Sequence, residues 1–115
     1  MNSVSPVYES SRFEESIKQF SELAEQFPEL AEIHNNLAGL YAREGKLDLA
    51  RLSLERALQA QPAYALAWEN LASVLARQSV QALQRAGDHS KHAERRRIDS
   101  KIKIARELTE RILKP

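Results

Sequence analysis

The sequence contains no cysteine, so disulfides and thiolate chemistry are excluded and the redox compartment stays open. Glycine is scarce, with three in 115 residues. Gly39, Gly45 and Gly87 are too scattered to form a phosphate-cradling loop, and there is no Gly-x-Ser-x-Gly elbow or His-Glu-x-x-His pair. No uninterrupted apolar run reaches the ~18 residues of a membrane span. The N-terminus lacks a basic stretch followed by an apolar one, the mark of a secretory signal, although a mature or excised chain would show the same lack. Neither charge sign dominates: 17 Lys+Arg face 16 Asp+Glu, for a net charge of +1. The placement is uneven, because residues 1–85 carry 8 basic and 11 acidic side chains (net −3) while residues 86–115 carry 9 and 5 (net +4). With 43% hydrophobic and 29% charged residues the composition is that of an ordinary folded chain, and its length fits one domain.

What the sequence does contain is centred on Ala31–Tyr64, AEIHNNLAGLYAREGKLDLARLSLERALQAQPAY. Two apolar-periodic segments, residues 30–43 and 47–60, flank the turn Arg43-Glu44-Gly45-Lys46. Leu37, Leu40 and Tyr41 share one face of the first. Leu47, Ala50, Leu54, Ala57 and Leu58 share one face of the second. Spacings that mix threes and fours predict helices. Gly45 stands where the first must stop, and Pro62 just past the end of the second. Ala50 and Ala57 are small where two helices must approach closely.

The unit recurs with a period of 34 residues. Pro28 matches Pro62, Ser16 matches Ala50, Phe20 matches Leu54 and Leu23 matches Ala57. In the forward direction His34 matches Trp68, Leu37 matches Leu71, Ala38 matches Ala72 and Tyr41 matches Leu75. A helix–turn–helix unit of this period resembles the tetratricopeptide repeat (TPR). Its marker positions are held by Leu37, Ala38, Tyr41, Gly45, Ala50, Leu54, Ala57 and Pro62. The resemblance implies an all-α fold, a right-handed α-α superhelix of TPR hairpins with a C-terminal capping helix.

On this register residues 1–11, rich in Ser and with Pro6, are expected to be a flexible lead-in, and residues 12–115 a single TPR-like domain. Residues 12–28 form a partial repeat, a second-type helix with the stripe Phe13, Ile17, Phe20, Leu23, Ala24 and Phe27 but no first helix before it. Its open face has two explanations: excision from a longer protein, or pairing with a second copy. Residues 31–64 are the complete repeat and 65–86 a partial third. There Ala65, Trp68, Leu71, Ala72 and Leu75 are in register, but no Gly, Pro, Asn or Asp lies between Ala72 and Ala86. One long helix is therefore expected rather than a shortened hairpin, stopping at Gly87-Asp88. Residues 89–114 are the capping helix, with the stripe Ile98, Ile102, Ala105, Leu108 and Ile112; a helix stack needs its last apolar face covered.

The order of small, aromatic and Asn positions from Ser16 to Ala72 is similar to TPR segments of exported proteobacterial proteins, in which the repeats are joined to another domain. This resemblance implies the bacterial cell envelope or periplasm; the residues themselves leave the compartment unknown and the cytoplasm open.

TPR modules bind partners and are not catalysts, so the resemblance implies a scaffold that takes a peptide or protein in a groove lined by first helices. By register the groove positions are Glu32, Asn35, Gly39, Ala42 and Arg43, then Leu66, Glu69, Ser73 and Arg77. Of these, Asn35, Gly39, Arg43, Glu69, Ser73 and Arg77 are the expected partner-binding residues. Asn and Arg can bind a peptide backbone or a carboxylate, and Gly39 would admit a ligand backbone closely. Asn35 and Glu69 stand where a carboxylate clamp would want Lys. Asn36 and Asn70 share one repeat position and are read as packing residues. Trp68 and Tyr41 are read as core, Tyr64 as exposed near the end of the groove, and His34 as packed at the edge of the hairpin.

No enzyme activity, metal or cofactor is expected. Glu14 and Glu15 are adjacent and point to different parts of a helix surface. His89 and His92 share a face but lack the further ligands a zinc site needs. Two alternative functions stand beside partner binding. One is homo-oligomerisation through the open face. The other is weak binding of nucleic acid or an anionic surface by Arg95, Arg96, Arg97, Lys101 and Lys103. Against the latter, Arg95–Asp99, Lys103–Glu107 and Arg106–Glu110 are spaced to pair along the helix.

Overall fold

A computed structural model describes the backbone of residues 6–89 and 92–113 and the side chains of residues 12–89 and 94–112. Its elements are five helices: α1 (Pro6–Gln26), α2 (Ala31–Arg43), α3 (Leu47–Ala60), α4 (Ala65–Asp88) and α5 (His92–Leu113). No strand occurs among the described residues, and the chain is all-α. It divides into two compact units, Met1–Trp68 and Glu69–Pro115, and the division falls inside α4.

In the first unit α1 starts at Pro6, not at Arg12. Residues 6–11, expected as lead-in, form its opening turns. Proline suits the first helical turn because its ring presets φ and its missing N–H would have no intrahelical partner there. Residues 1–5 lie outside the described residues. The helix ends ahead of Pro28, whose ring disfavours a helical residue before it.

The α1–α2 and α3–α4 turns share two backbone hydrogen bonds at an offset of 34. Phe27 N–H donates to Leu23 O at 2.8 Å and Gln61 N–H to Ala57 O at 2.9 Å; Leu30 N–H donates to Phe27 O at 3.0 Å and Tyr64 N–H to Gln61 O at 3.1 Å. A side chain then secures each turn. His34 Nε2 lies 2.9 Å from Pro28 O, and Trp68 Nε1 donates to Pro62 O at 2.8 Å. A carbonyl only accepts, so Nε2 of His34 carries the proton.

α2 ends in a Schellman motif. Gly45 takes a left-handed φ of 75°. Its N–H reaches Ala42 O at 3.0 Å and the Lys46 N–H reaches Tyr41 O at 2.9 Å, capping carbonyls that would otherwise be orphaned. Lys46 then pairs with Glu44 at 3.0 Å, and the hydrogen bond and charge of Glu44 raise its pKa above the ordinary lysine value.

α1 and α3 both pack against α2. The core of this unit is Ala31, Leu37 and Ala38 from α2 with Leu47, Ala50, Leu54, Ala57 and Leu58 from α3, and Ala24 from α1. Leu54 is fully enclosed, and Ala50 and Ala57 have no exposed surface. Alanines at the contact let the α2 and α3 axes draw close.

In the second unit α4 runs unbroken to Asp88, as the lack of turn residues predicts. Val74, Gly87, Ile102 and Thr109 are buried. A Cβ on Gly87 would sit 3.4 Å from Arg95 Nε and 3.7 Å from Ile98 Cγ2, so α5 passes close to the end of α4 there.

Candidate partner-binding surface

α2 presents Glu32, Gly39 and Arg43 to solvent along one face, with Ala42 half-buried beside them. A Cβ added to Gly39 would meet nothing within 4 Å, so the helix backbone is open to approach at that point. Arg43 is held over the Phe13 ring of α1, its guanidinium carbon 5.9 Å from the ring centroid, an arrangement favoured by the ring's electron-rich face. Arg12, Phe13, Ser16, Leu40 and Arg43 line an open cleft of about 440 Å³. A cation above an aromatic floor is a chemistry that receives carboxylates and peptide carbonyls.

Asn35 lies on the same helix but is buried, and it has a bonding partner. Asn36, read from the sequence as a packing residue, is exposed instead. Asn36 points about 100° around the helix from Asn35, and that turn carries it off the buried arc that holds His34, Asn35, Leu37 and Ala38. Asn70, the repeat equivalent of Asn36, is half-buried and has a partner.

On α4, Leu66 and Glu69 are exposed. Ser73 is half-buried and donates its hydroxyl to Glu69 O at 3.3 Å. Arg77 is half-buried and also has a partner. Gly39 and Arg43 thus share the face beside the cleft, whereas Glu69, Ser73 and Arg77 belong to the second unit.

The stripe expected to form the core side of α4 does not. Ala65, Trp68, Ala72 and Leu75 are exposed and Leu71 is half-buried, while Ala67 and Val74 are buried. Trp68, expected in the core, is 53% exposed. In the complete unit the matching face belongs to α2, which α3 packs against; nothing among the described residues covers it on α4. His34 is buried as expected, and Tyr41 and Tyr64 are half-buried.

On α5 the basic side chains Arg95, Arg96, Arg97, Lys101 and Lys103 are exposed. Arg95 lies between two carboxylates, 3.8 Å from Asp88 and 4.0 Å from Asp99. The hollow beside it sets Arg95, Lys103 and Arg106 against Asp99, Glu107 and Glu110. Within that hollow the alternation weakens the field an anionic polymer would feel. The His92 side chain is outside the described residues. No group of three His, Asp or Glu residues is assembled for a metal among the described residues, and no helix there is long and apolar enough to cross a membrane.

The tetratricopeptide repeat profile matches residues 7–65 and 43–94. The chain belongs to the tetratricopeptide repeat family. Repeats of this family are in general non-catalytic scaffolds for protein–protein interaction, and a protein partner is the expectation for this TPR chain too. No curated protein and no solved structure matches it. The cleft under Arg43 escaped sequence reasoning. Phe13 was legible as one member of the α1 stripe, but the meeting of Phe13 with Arg43 across two helices leaves no local signal.

Proposed function

We propose that this chain is a non-catalytic TPR module that binds an extended peptide or protein segment along the exposed face of α2. The segment passes Glu32 and Gly39 and ends over the cleft at Arg43. The observation that carries this reading is the Arg43 guanidinium held above Phe13 at the mouth of an open cleft. Both side chains come from packed helices, so the site is pre-organised, and a rigid site loses less entropy when it binds. The acceptor it favours is a carboxylate or backbone carbonyl of the partner. Glu69, Ser73 and Arg77, which belong to the second unit, are proposed as partner contacts in their own right, separate from the α2 site. The finer kinship to exported proteobacterial repeat proteins is also a proposal, supported by the order of residues from Ser16 to Ala72.

The test compares proteins captured by the wild-type chain with those captured by Arg43→Glu, each quantified by mass spectrometry. Arg43 is exposed, so the variant should keep its helical circular dichroism and its melting temperature within a few degrees. Partners held by wild type should fall about tenfold or more in the variant, as for a charged interface anchor worth at least ~1.4 kcal/mol. Equal capture by a folded Arg43→Glu chain would reject this site.

A further inference from the structure

α1 is a second-type helix with no first-type partner among the described residues, and α4 is a first-type helix with no second-type partner. The α2–α3 pair displays both faces when they are joined, so the burial that each orphan lacks can be read position by position. On the α1 side, Ala57 is 0% exposed and its equivalent Leu23 is 38% exposed. Leu47 and Ala50 are sealed, but their equivalents Phe13 and Ser16 line an open cleft. Ser53 is buried, and its equivalent Gln19 is exposed. On the α4 side, His34 is 5% exposed and Trp68 53%; Ala38 is buried and Ala72 exposed; Leu75 is 46% exposed where Tyr41 is half-buried.

We infer that the 115-residue chain self-associates, with α1 of one copy seated on the Trp68–Ala72–Leu75 face of α4 in another, completing a helix pair like α2–α3 at the junction. The occupant is specified by the repeat itself. The α4 face has the first-helix pattern, large at Trp68, small at Ala72 and large at Leu75, as His34, Ala38 and Tyr41 have it. α1 has the second-helix pattern, Ser16, Phe20 and Leu23 for Ala50, Leu54 and Ala57. A repeat hairpin hides its apolar side only against a neighbour, and each copy carries one half of what the other lacks. Two different patches meet, so the contact is heterologous, closing reciprocally into a pair or continuing to further copies. The contact takes in Phe13 and Ser16 of the Arg43 cleft but needs no peptide bound there, and its readout needs no other partner.

The experiment is sedimentation of the full chain over tens to hundreds of micromolar, with two blocked variants. Ala72→Glu/Leu75→Glu blocks α4 and leaves α1 free; Gln19→Glu/Leu23→Glu blocks α1 and leaves α4 free. All four positions are exposed in the single chain, so both variants should keep their helical circular dichroism. Wild type should rise with concentration to twofold the chain mass or beyond. Each variant alone should stay at one chain mass, and an equimolar mixture of the two should return to twofold and stop there. Wild type that stays at one chain mass overturns the inference without reference to any variant. So does a single blocked variant that still associates, because like faces would then be pairing, or a mixture of folded variants that stays at one chain mass.

Discussion

Gly39 and Gly45 are six positions apart, and replacing each by alanine should move stability in opposite directions. Neither change creates a contact, because an added Cβ finds nothing within 4 Å at either site. Only the backbone distinguishes them. Gly39 lies inside α2, where glycine costs about 0.5–1 kcal/mol relative to alanine through its greater freedom in the unfolded chain. Gly39→Ala should therefore gain about that amount. Gly45 holds a φ of 75° in the Schellman cap, where an L side chain costs roughly 1–2 kcal/mol. Gly45→Ala should lose about that amount, and Gly45→Asn less, since Asn tolerates the left-handed region better. For a unit the size of Met1–Trp68, each kcal/mol corresponds to about 4–8 °C in melting temperature. Urea titration and thermal melting followed by circular dichroism give both signs in one series. Changes of the same sign at the two sites, or a Gly45→Ala chain as stable as wild type, would refute the argument from backbone conformation. If a ligand backbone passes over Gly39, the same Gly39→Ala chain should be more stable yet weaker in partner capture.

Leu54 is the largest fully enclosed side chain among the described residues, so Leu54→Ala should cost about 2–5 kcal/mol through lost burial and the cavity left behind, measured by the urea midpoint. His34→Phe should cost about 1 kcal/mol or more by stripping Pro28 O of its partner in a part-buried site, whereas Trp68→Phe should cost less because water replaces the exposed bond to Pro62 O. Glu44→Gln should bring the Lys46 pKa back toward its ordinary value, followed by NMR titration of the side-chain nitrogen. Because the folded pKa is the raised one, whatever the pair adds to stability is fully present below the unfolded lysine pKa of ~10.4 and is lost as pH climbs through the folded value. Unfolding between neutral pH and mildly alkaline pH should not register this pair.

Much of the architecture was legible because its signals are local. The stops at Gly45 and ahead of Pro28 and Pro62 come from backbone chemistry in a handful of residues, and the long α4 follows from the absence of any breaker between Ala72 and Ala86. α1 begins earlier than a Ser-rich segment with a proline suggests, because proline fits a first turn. The candidate site was less legible. The repeat register located Gly39 and Arg43 on the exposed face of α2, but it placed Asn35 there too, and the structure buries Asn35 and exposes Asn36. Phe13 entered the site only because α1 packs across α2.

By itself the order of residues determined the helices, their turns and the 34-residue register, since hydrophobic period, proline and glycine act within one or two turns of chain. Tertiary structure decided which apolar faces are covered. Trp68 and Leu75 carry the same pattern as His34 and Tyr41, yet α2 has α3 packed against it and the matching face of α4 stands in water. Burial depends on a neighbour's presence, and a stripe of side chains records only its own chemistry.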